Sequence, residues 1–404
     1  MAALPIMALA VAFALIVIYG LGWALGQQGR ISGTGGGGPD VTDPVPETTP
    51  SGQDLRATFP DLIAFVEQAR GKRFQQAPTL FGVDDAQFTA IGSRLLVAGS
   101  VDAQVMALRF TALGLLPLPD WQTPLTQLLV TNGKVLSDPD RGRIDVREEL
   151  MDPASPYLRA EVVRQLARVL DVQVAKASPA TLPTIASEGH FARVALAQGS
   201  AELVVSQYRE HFDAATKRLY AAEARAVQDE LGAAGTNPLV LANVYPQIVG
   251  APVVRDQVST GGPNVLATLL DAPNYPSAAL LAGRLSLDAP VFTPMTPKAD
   301  GPSLADGSFG AADLIFALRS ANSEDAAVVT RNWGGGWFQL WSGDGDQTCI
   351  RFRVAGSTDA KTQALAVLLQ PWADTVGATL AQPTDPHVPD PRHRVVEVTR
   401  CGGG

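Results

Sequence analysis

From Arg159 to Gln173 the chain reads RAEVVRQLARVLDVQ, with apolar side chains at Val162, Val163, Leu166, Val169, Leu170 and, just beyond, Val174. This i, i+3, i+4 rhythm predicts an amphipathic helix laid on a core. Arg164 and Arg168 interrupt the stripe, four residues apart with Gln165 between them. Like charges at that spacing repel by about 0.2–0.5 kcal/mol in an isolated helix. Buried arginines also need partners, so this pair requires an explanation.

Similar patterns mark the other elements. DLIAFVEQARGK (61–72) predicts a helix with Asp61 near its start and Gly71 at its end. APTLFGV (77–83) reads as a short strand, and DDAQFTAIGSRLL and VDAQVMALRFTALGLL read as helices. LTQLLVTNGKVLSDPDRGRIDVREEL (125–150) predicts short strands turning at Asn132-Gly133 and again near Asp138-Pro139. A long helix is expected over Gly189 to Leu231, with a break inside it. Leu239 to Ala289 reads as short helices and Pro-punctuated loop. A helix near 309–319 precedes the strand candidates AVVTRNW, WFQLWS and TCIRFRV, and a helix from Ala360 to Val376 follows. The Pro-rich tail from 381 to 404 is expected to be loosely ordered, apart from VVEVT (395–399) as an edge strand. The predicted class is α+β, mainly helical with short strands.

The first 26 residues are apolar and precede any charged side chain; the first is Arg30. A run of more than twenty apolar residues can cross a ~30 Å hydrocarbon core. It lacks the basic n-region of a cleavable signal, so an uncleaved transmembrane anchor is favoured over a signal peptide. A lone arginine does not set its orientation. Residues 27–53, rich in Gly, Pro, Ser, Thr and Asp, read as a flexible linker. The GxGxxG within it, Gly33 to Gly38, has neither the strand nor the helix of a dinucleotide site around it. The globular region is then 54–380.

Charge narrows the function classes. A net charge of −9 argues against a nucleic-acid partner. His190, His211, His387 and His393 are scattered, and the only cysteines, Cys349 and Cys401, form no CxxC. Asp344-Gly345-Asp346 lacks the remaining ligands of a calcium loop and reads as a hairpin turn.

SDPDRGRIDVREELMDPASPYLRAEVVRQLARVLDVQ and ALAQGSAELVVSQY (195–208) carry a resemblance to a known family. So do VYPQIVG (244–250), Gly261-Gly262, APNYPSAALL and RNWGGGWFQLW (331–341), with FVEQARGKRF and ALGLL nearer the N-terminus. In this order and spacing they resemble the actinobacterial membrane-anchored or secreted zinc metallopeptidase-like proteins of gluzincin type, whose core motif is HELTHALQDQ. The frame is kept by Asp138-Pro139, Ile144, Val146, Asp152-Pro153, Leu166, Leu170 and Gln173. The resemblance spans most of residues 54–378. It implies a peptidase-like fold with the globular part outside the cytoplasm.

In such a site two imidazoles one helical turn apart and a glutamate on the next helix hold Zn²⁺, and a glutamate beside the first imidazole activates water. The corresponding ligand positions here are Arg164, Arg168 and Gln198, and the base position is Gln165. A guanidinium has no lone pair for a cation, and a neutral amide takes no proton from water. Gly336 stands in place of the aspartate of the family's WGGD. No metal and no cofactor are therefore expected. Glu161 and Asp171, one to two turns away, are expected to point elsewhere, although Glu161 is also the best same-helix partner for a guanidinium.

Three readings of the arginine pair follow. It is a solvated face, or a clasp for an anionic ligand, or an internal polar cluster of Arg164, Arg168, Gln198 and Glu202 replacing the metal. The resemblance implies a pseudopeptidase that binds a peptide or an envelope or membrane protein. The alternatives are a structural envelope component with a closed cleft and an active hydrolase with an unrecognised site. Outside the cytoplasm Cys349 and Cys401 are candidates for a disulfide, against the alternative of two separate thiols.

Overall fold

The structure, a computed structural model, describes residues 54–98, 100–116, 133–151, 154–175, 188–234, 238–262, 264–271, 275–283, 285, 293–320, 326–345, 347–388, 392 and 394–402. The expected anchor, the linker and the turn at Asn132 lie outside the described residues. Those residues hold twelve α-helices and two sheets, a mixed α+β architecture.

Helix α1 (Leu55–Arg70) starts earlier than Asp61. Asp54 caps it by accepting from the Arg56 amide, and Gly71 closes it in the left-handed region at φ 60°. Leu55 and Phe59 extend the apolar stripe of Leu62 and Val66 backward, which draws Pro60 inside the helix. Strand β1 (Thr79–Val83) follows, then α2 (Asp85–Ala98) and α3 (Ser100–Ala112). Strands β2 (Val135–Asp138) and β3 (Arg143–Arg147) are joined by a 3-10 turn and by Gly142, at φ 62°. The three-stranded sheet has the order β1-β3-β2, with β1 parallel and β2 antiparallel to β3.

Helix α4 (Pro156–Ala175) contains the arginine pair, and α5 (Glu188–Glu210) packs beside it. The expected break falls at His211 to Asp213, where the Asp213 carboxylate accepts from the Thr216 amide at 2.7 Å to start α6 (Ala214–Ala234). The region read as short helices and loop instead holds a long helix, α7 (Pro238–Gly261), that runs through Pro246 and Pro252. Its packing on α5 explains the difference. A Cβ on Gly199 would lie 2.4 Å from the Gly250 carbonyl, and one on Gly250 would lie 1.8 Å from the Ala195 oxygen. The two backbones touch, and that contact outweighs local propensity. Two short helices, α8 (Val265–Asp271) and α9 (Ser277–Leu281), complete this part.

Beyond them, β4 (Ser303–Ser308), α10 (Ala311–Ser320), α11 (Ala326–Asn332), β5 (Gly335–Ser342), β6 (Thr348–Ala355), α12 (Asp359–Val376), β7 (Thr379–Ala381) and β8 (Val396–Gly402) build a second sheet. Its order is β4-β5-β6-β8-β7, antiparallel throughout. Phe338, Phe352 and Val398 bury one face against Phe110 of α3, Leu314 of α10 and Trp372 of α12.

Two expectations are corrected here. AVVTRNW is helical because Val329 and Trp333, four apart, bury on one side, and Trp333 donates its indole N–H to the Phe309 carbonyl at 3.1 Å. VVEVT belongs to an inner strand, since β7 pairs with its second edge. The end of the chain is thus part of the sheet rather than a loose tail. Gly336 fits only as glycine: a Cβ there would meet the Phe309 oxygen at 2.3 Å.

Candidate functional site

Helix α4 buries Val162, Val163, Leu166, Val169 and Leu170 completely or nearly so. Its Arg164 turns toward α5 and donates Nη1 to Glu202 Oε2, and its Nε donates to Glu161 Oε1 at 3.1 Å. The side chains of Arg164, Glu161 and Glu202 are 14%, 19% and 19% exposed, so this is a largely desolvated trio spanning two helices. Burial opposes the Arg164 charge, but the two carboxylates outweigh it and hold its ionisation above the ordinary value.

The other expected members behave differently. Gln165, 8% exposed, accepts from the Ser137 hydroxyl of β2 at 2.7 Å and from Arg168 Nη1 at 3.3 Å. Arg168 therefore turns to the strand side and has no carboxylate in ion-pair contact among the described residues. Burial and the neighbouring Arg164 push its ionisation down. Gln198 does not join either: its Oε1 is buried with no donor. The cluster is thus Glu161–Arg164–Glu202, with Arg168 and Gln198 outside it. The solvated-face reading fails for Arg164, whose guanidinium is occupied from both sides.

A second trio lies further along α4. Arg70, at the end of α1, donates Nη2 to Asp171 at 2.8 Å and to Ser200 at 2.6 Å, and Ser200 donates to Asp171 at 2.9 Å. Asp171 thus points away from the ligand positions, as expected, whereas Glu161 turns to Arg164. Burial pushes the Asp171 carboxyl up, against the pull of Arg70 and Ser200. Arg70 is 101 residues from Asp171, and no local pattern connects them. Only the helical phase of Asp171, seven residues after Arg164, was available as a signal. Gln173, a residue of the retained frame, accepts from the Gln75 and Gln76 amides at 2.8 and 3.2 Å and fixes the chain leading into β1.

Elsewhere, Cys349 and Cys401 face each other across β6 and β8 and form a disulfide with Cα atoms 3.9 Å apart. Asp344 and Gly345 lie in the turn between β5 and β6, where the Gly343 amide donates to the Gln347 carbonyl at 2.9 Å. The side chain of His190 lies outside the described residues, and His211 is exposed with its ring 5.6 Å from Phe65. Among the described residues no group of three or more His, Cys, Asp or Glu is arranged to hold a metal ion. Among them, too, no helix is long and apolar enough to cross a membrane.

No protein-family model, curated protein or solved structure matches the chain. The likeness to the HELTHALQDQ proteins rests on the motifs alone.

Proposed function

We propose that the chain is a membrane-anchored, catalytically inactive pseudopeptidase with its globular part outside the cytoplasm, acting by binding a peptide or an envelope or membrane protein. One observation carries this reading. In the proteins it resembles, a metal bridges the helices that correspond to α4 and α5; here Arg164 and Glu202 join them by an ion pair. The residues at the ligand and base positions, Arg164, Arg168, Gln198 and Gln165, offer neither a zinc site nor a general base.

The test is elemental analysis of the purified full-length protein in mild detergent after zinc loading and desalting, with a peptide-hydrolysis panel alongside. The expected result is zinc far below one per chain and no hydrolysis. One zinc retained per chain, or turnover lost on chelation, overturns the reading.

The two carboxylates on Arg164 also favour the second reading, a structural envelope component with a closed cleft. A photo-reactive side chain at position 168 that captures a peptide supports the binding protein. Capture confined to position 367, on the exposed side of α12, supports the structural component.

A further inference from the structure

We infer that the Cys349–Cys401 disulfide and the Arg400 guanidinium form a redox latch on the last residues of β8. A dithiol that attacks Cys401 opens the bridge, and Arg400 then releases the ends of α3 and α12. Strand β8 pairs with β6 from Val396 to Gly402, but with β7 only from Glu397 to Thr399. Residues 400–402 thus extend past β7 and pair with β6 alone. Side chains alternate across a strand. Thr399 and Cys401 lie on the face of Arg351, which donates to the Thr399 hydroxyl at 2.9 Å. Arg400 lies on the opposite face, the one packed on the helices.

The two sulfurs differ in access. Cys349 is 1% exposed. Its Sγ lies against the turn between β5 and β6, where a Cβ added to Gly343 would come within 2.7 Å of it. Cys401 is exposed. Access helps decide which sulfur of a disulfide is attacked, and exposed bridges are the labile ones. A thiolate of the reductant bonds to Cys401 Sγ, and the S–S electron pair leaves with Cys349 Sγ, which takes up a proton. The second thiolate of the reductant then displaces Cys401 from the mixed disulfide. The products are two thiols on the chain and a disulfide on the reductant, which has supplied both electrons.

Arg400 couples the bridge to the helices. Its Nε donates to the Val376 carbonyl at 2.9 Å, at the end of α12. Its Nη1 donates to the Thr111 and Ala112 carbonyls at 3.3 and 2.5 Å, at the end of α3. Helix C-termini leave these carbonyls open, and a cation there is favourable. Cβ atoms on Gly114 and Gly402 would lie 2.8 and 2.3 Å from the guanidinium nitrogens, so two glycines make room for the clamp. The clamp holds only while β8 keeps its register, and the bridge fixes that register one residue further on. The inference does not depend on the pseudopeptidase reading.

The test uses the oxidised full-length protein in detergent, with thioredoxin as the dithiol. A thioredoxin whose second active-site cysteine is changed to serine is expected to be captured as a mixed disulfide, and peptide mapping to place it on Cys401. Capture on Cys349, or no capture, overturns the inference. Hydrogen exchange then reads the clamp. The Leu113 and Leu115 amides donate to the Arg109 and Phe110 carbonyls at 2.9 and 2.8 Å, and the Ala378 amide to the Ala373 carbonyl at 2.8 Å. On reduction these amides are expected to exchange at least about tenfold faster, the loss of a charged hydrogen bond, while those of α4 stay unchanged. Oxidised Arg400→Met is expected to show the same acceleration, with no further effect of reduction at these amides. Cys401→Ala, which keeps Arg400 and lacks the bridge, is expected to match reduced wild type; it keeps the test decisive if Arg400→Met does not fold. Exchange at 113, 115 and 378 that ignores reduction overturns the latch. Equal acceleration in α4 also overturns it, since reduction would then loosen the whole protein.

Discussion

The α4–α5 seam and the five-stranded sheet are held by different proportions of buried charge and apolar surface. In the sheet the interior is mainly apolar: Phe338, Phe352, Val398 and Trp372 are fully buried, a single buried ion pair among the described residues, Arg109–Asp313 at 2.9 Å, lies against Phe338, and the pairs of Arg351 and Arg353 lie on the other face. There Arg351 meets Asp300 at 2.5 Å, with Asp300 more than half exposed, and Arg353 meets Glu397 at 2.7 Å. In the seam the charges lie between helices, with Arg164, Glu202, Arg70 and Asp171 each less than a fifth exposed. An apolar interior loses stability in proportion to the area exposed. A desolvated ion pair loses it abruptly, because removing one partner strands the other. The seam is therefore the more specific joint and the more fragile one.

The largest effect separating the two regions is expected from the disulfide. The bridge closes a loop of 52 residues, which corresponds to about 4 kcal/mol in the chain-entropy model. Reduction should accelerate amide exchange in β6 and β8 while leaving α4 and α5 protected. Equal acceleration in both would show that sheet and seam open together.

Next is Glu202→Ala. Breaking a buried pair removes about 3–5 kcal/mol, and the low end applies because Glu161 remains on Arg164. Denaturant titration should show a loss of about 3 kcal/mol. Glu210→Ala, an exposed position two turns on, should stay within about 0.5 kcal/mol. Equal losses at 202 and 210 would remove the distinction between seam and surface.

A smaller effect concerns pH. Burial raises the Asp171 carboxyl above its ordinary 3.8, so the folded chain keeps this proton to higher pH than the unfolded chain does. The contribution of that group is then fullest below 3.8 and declines as pH rises through the folded value. Wild type should lose ground to Asp171→Asn between about pH 3 and pH 7. Asp300, held low by its hydrogen bond from Arg351, contributes in the opposite direction, losing stability as pH falls through its depressed value. An Asp171 difference that grows in favour of wild type with rising pH would contradict the assignment.

The parts of the molecule legible in sequence were those where a single helix or strand carries the information. The stripe of α4, the break before α6 and strands β5 and β6 follow from local periodicity and composition, whereas the Cys349–Cys401 bridge was one of two alternatives that only the register of β6 and β8 decides. Arg164 and Glu202 were expected together because the resemblance sets their two helices face to face and the charges are opposite. Arg168 was misplaced because its partner depends on β2: Ser137 brings Gln165 into position, and Gln165 holds the guanidinium. Arg70 and Ser200 were missed for the same reason, since their meeting with Asp171 is set by the packing of three helices. Helix α7 was hidden by its prolines, which the backbone contact at Gly199 and Gly250 overrides. Helix α11 was hidden by valines that favour strands, where the deciding factor is the common side of Val329 and Trp333.

The proposed function turns on the Arg164–Glu202 ion pair joining α4 to α5. The most direct measurement is a double-mutant cycle on Arg164→Met and Glu202→Leu, read by denaturant unfolding of the full-length protein. A coupling of about 2 kcal/mol or more, with the double variant recovering much of the loss, is expected for a joined and desolvated pair. Additive losses with coupling under about 0.5 kcal/mol would show that the two side chains do not hold the helices together.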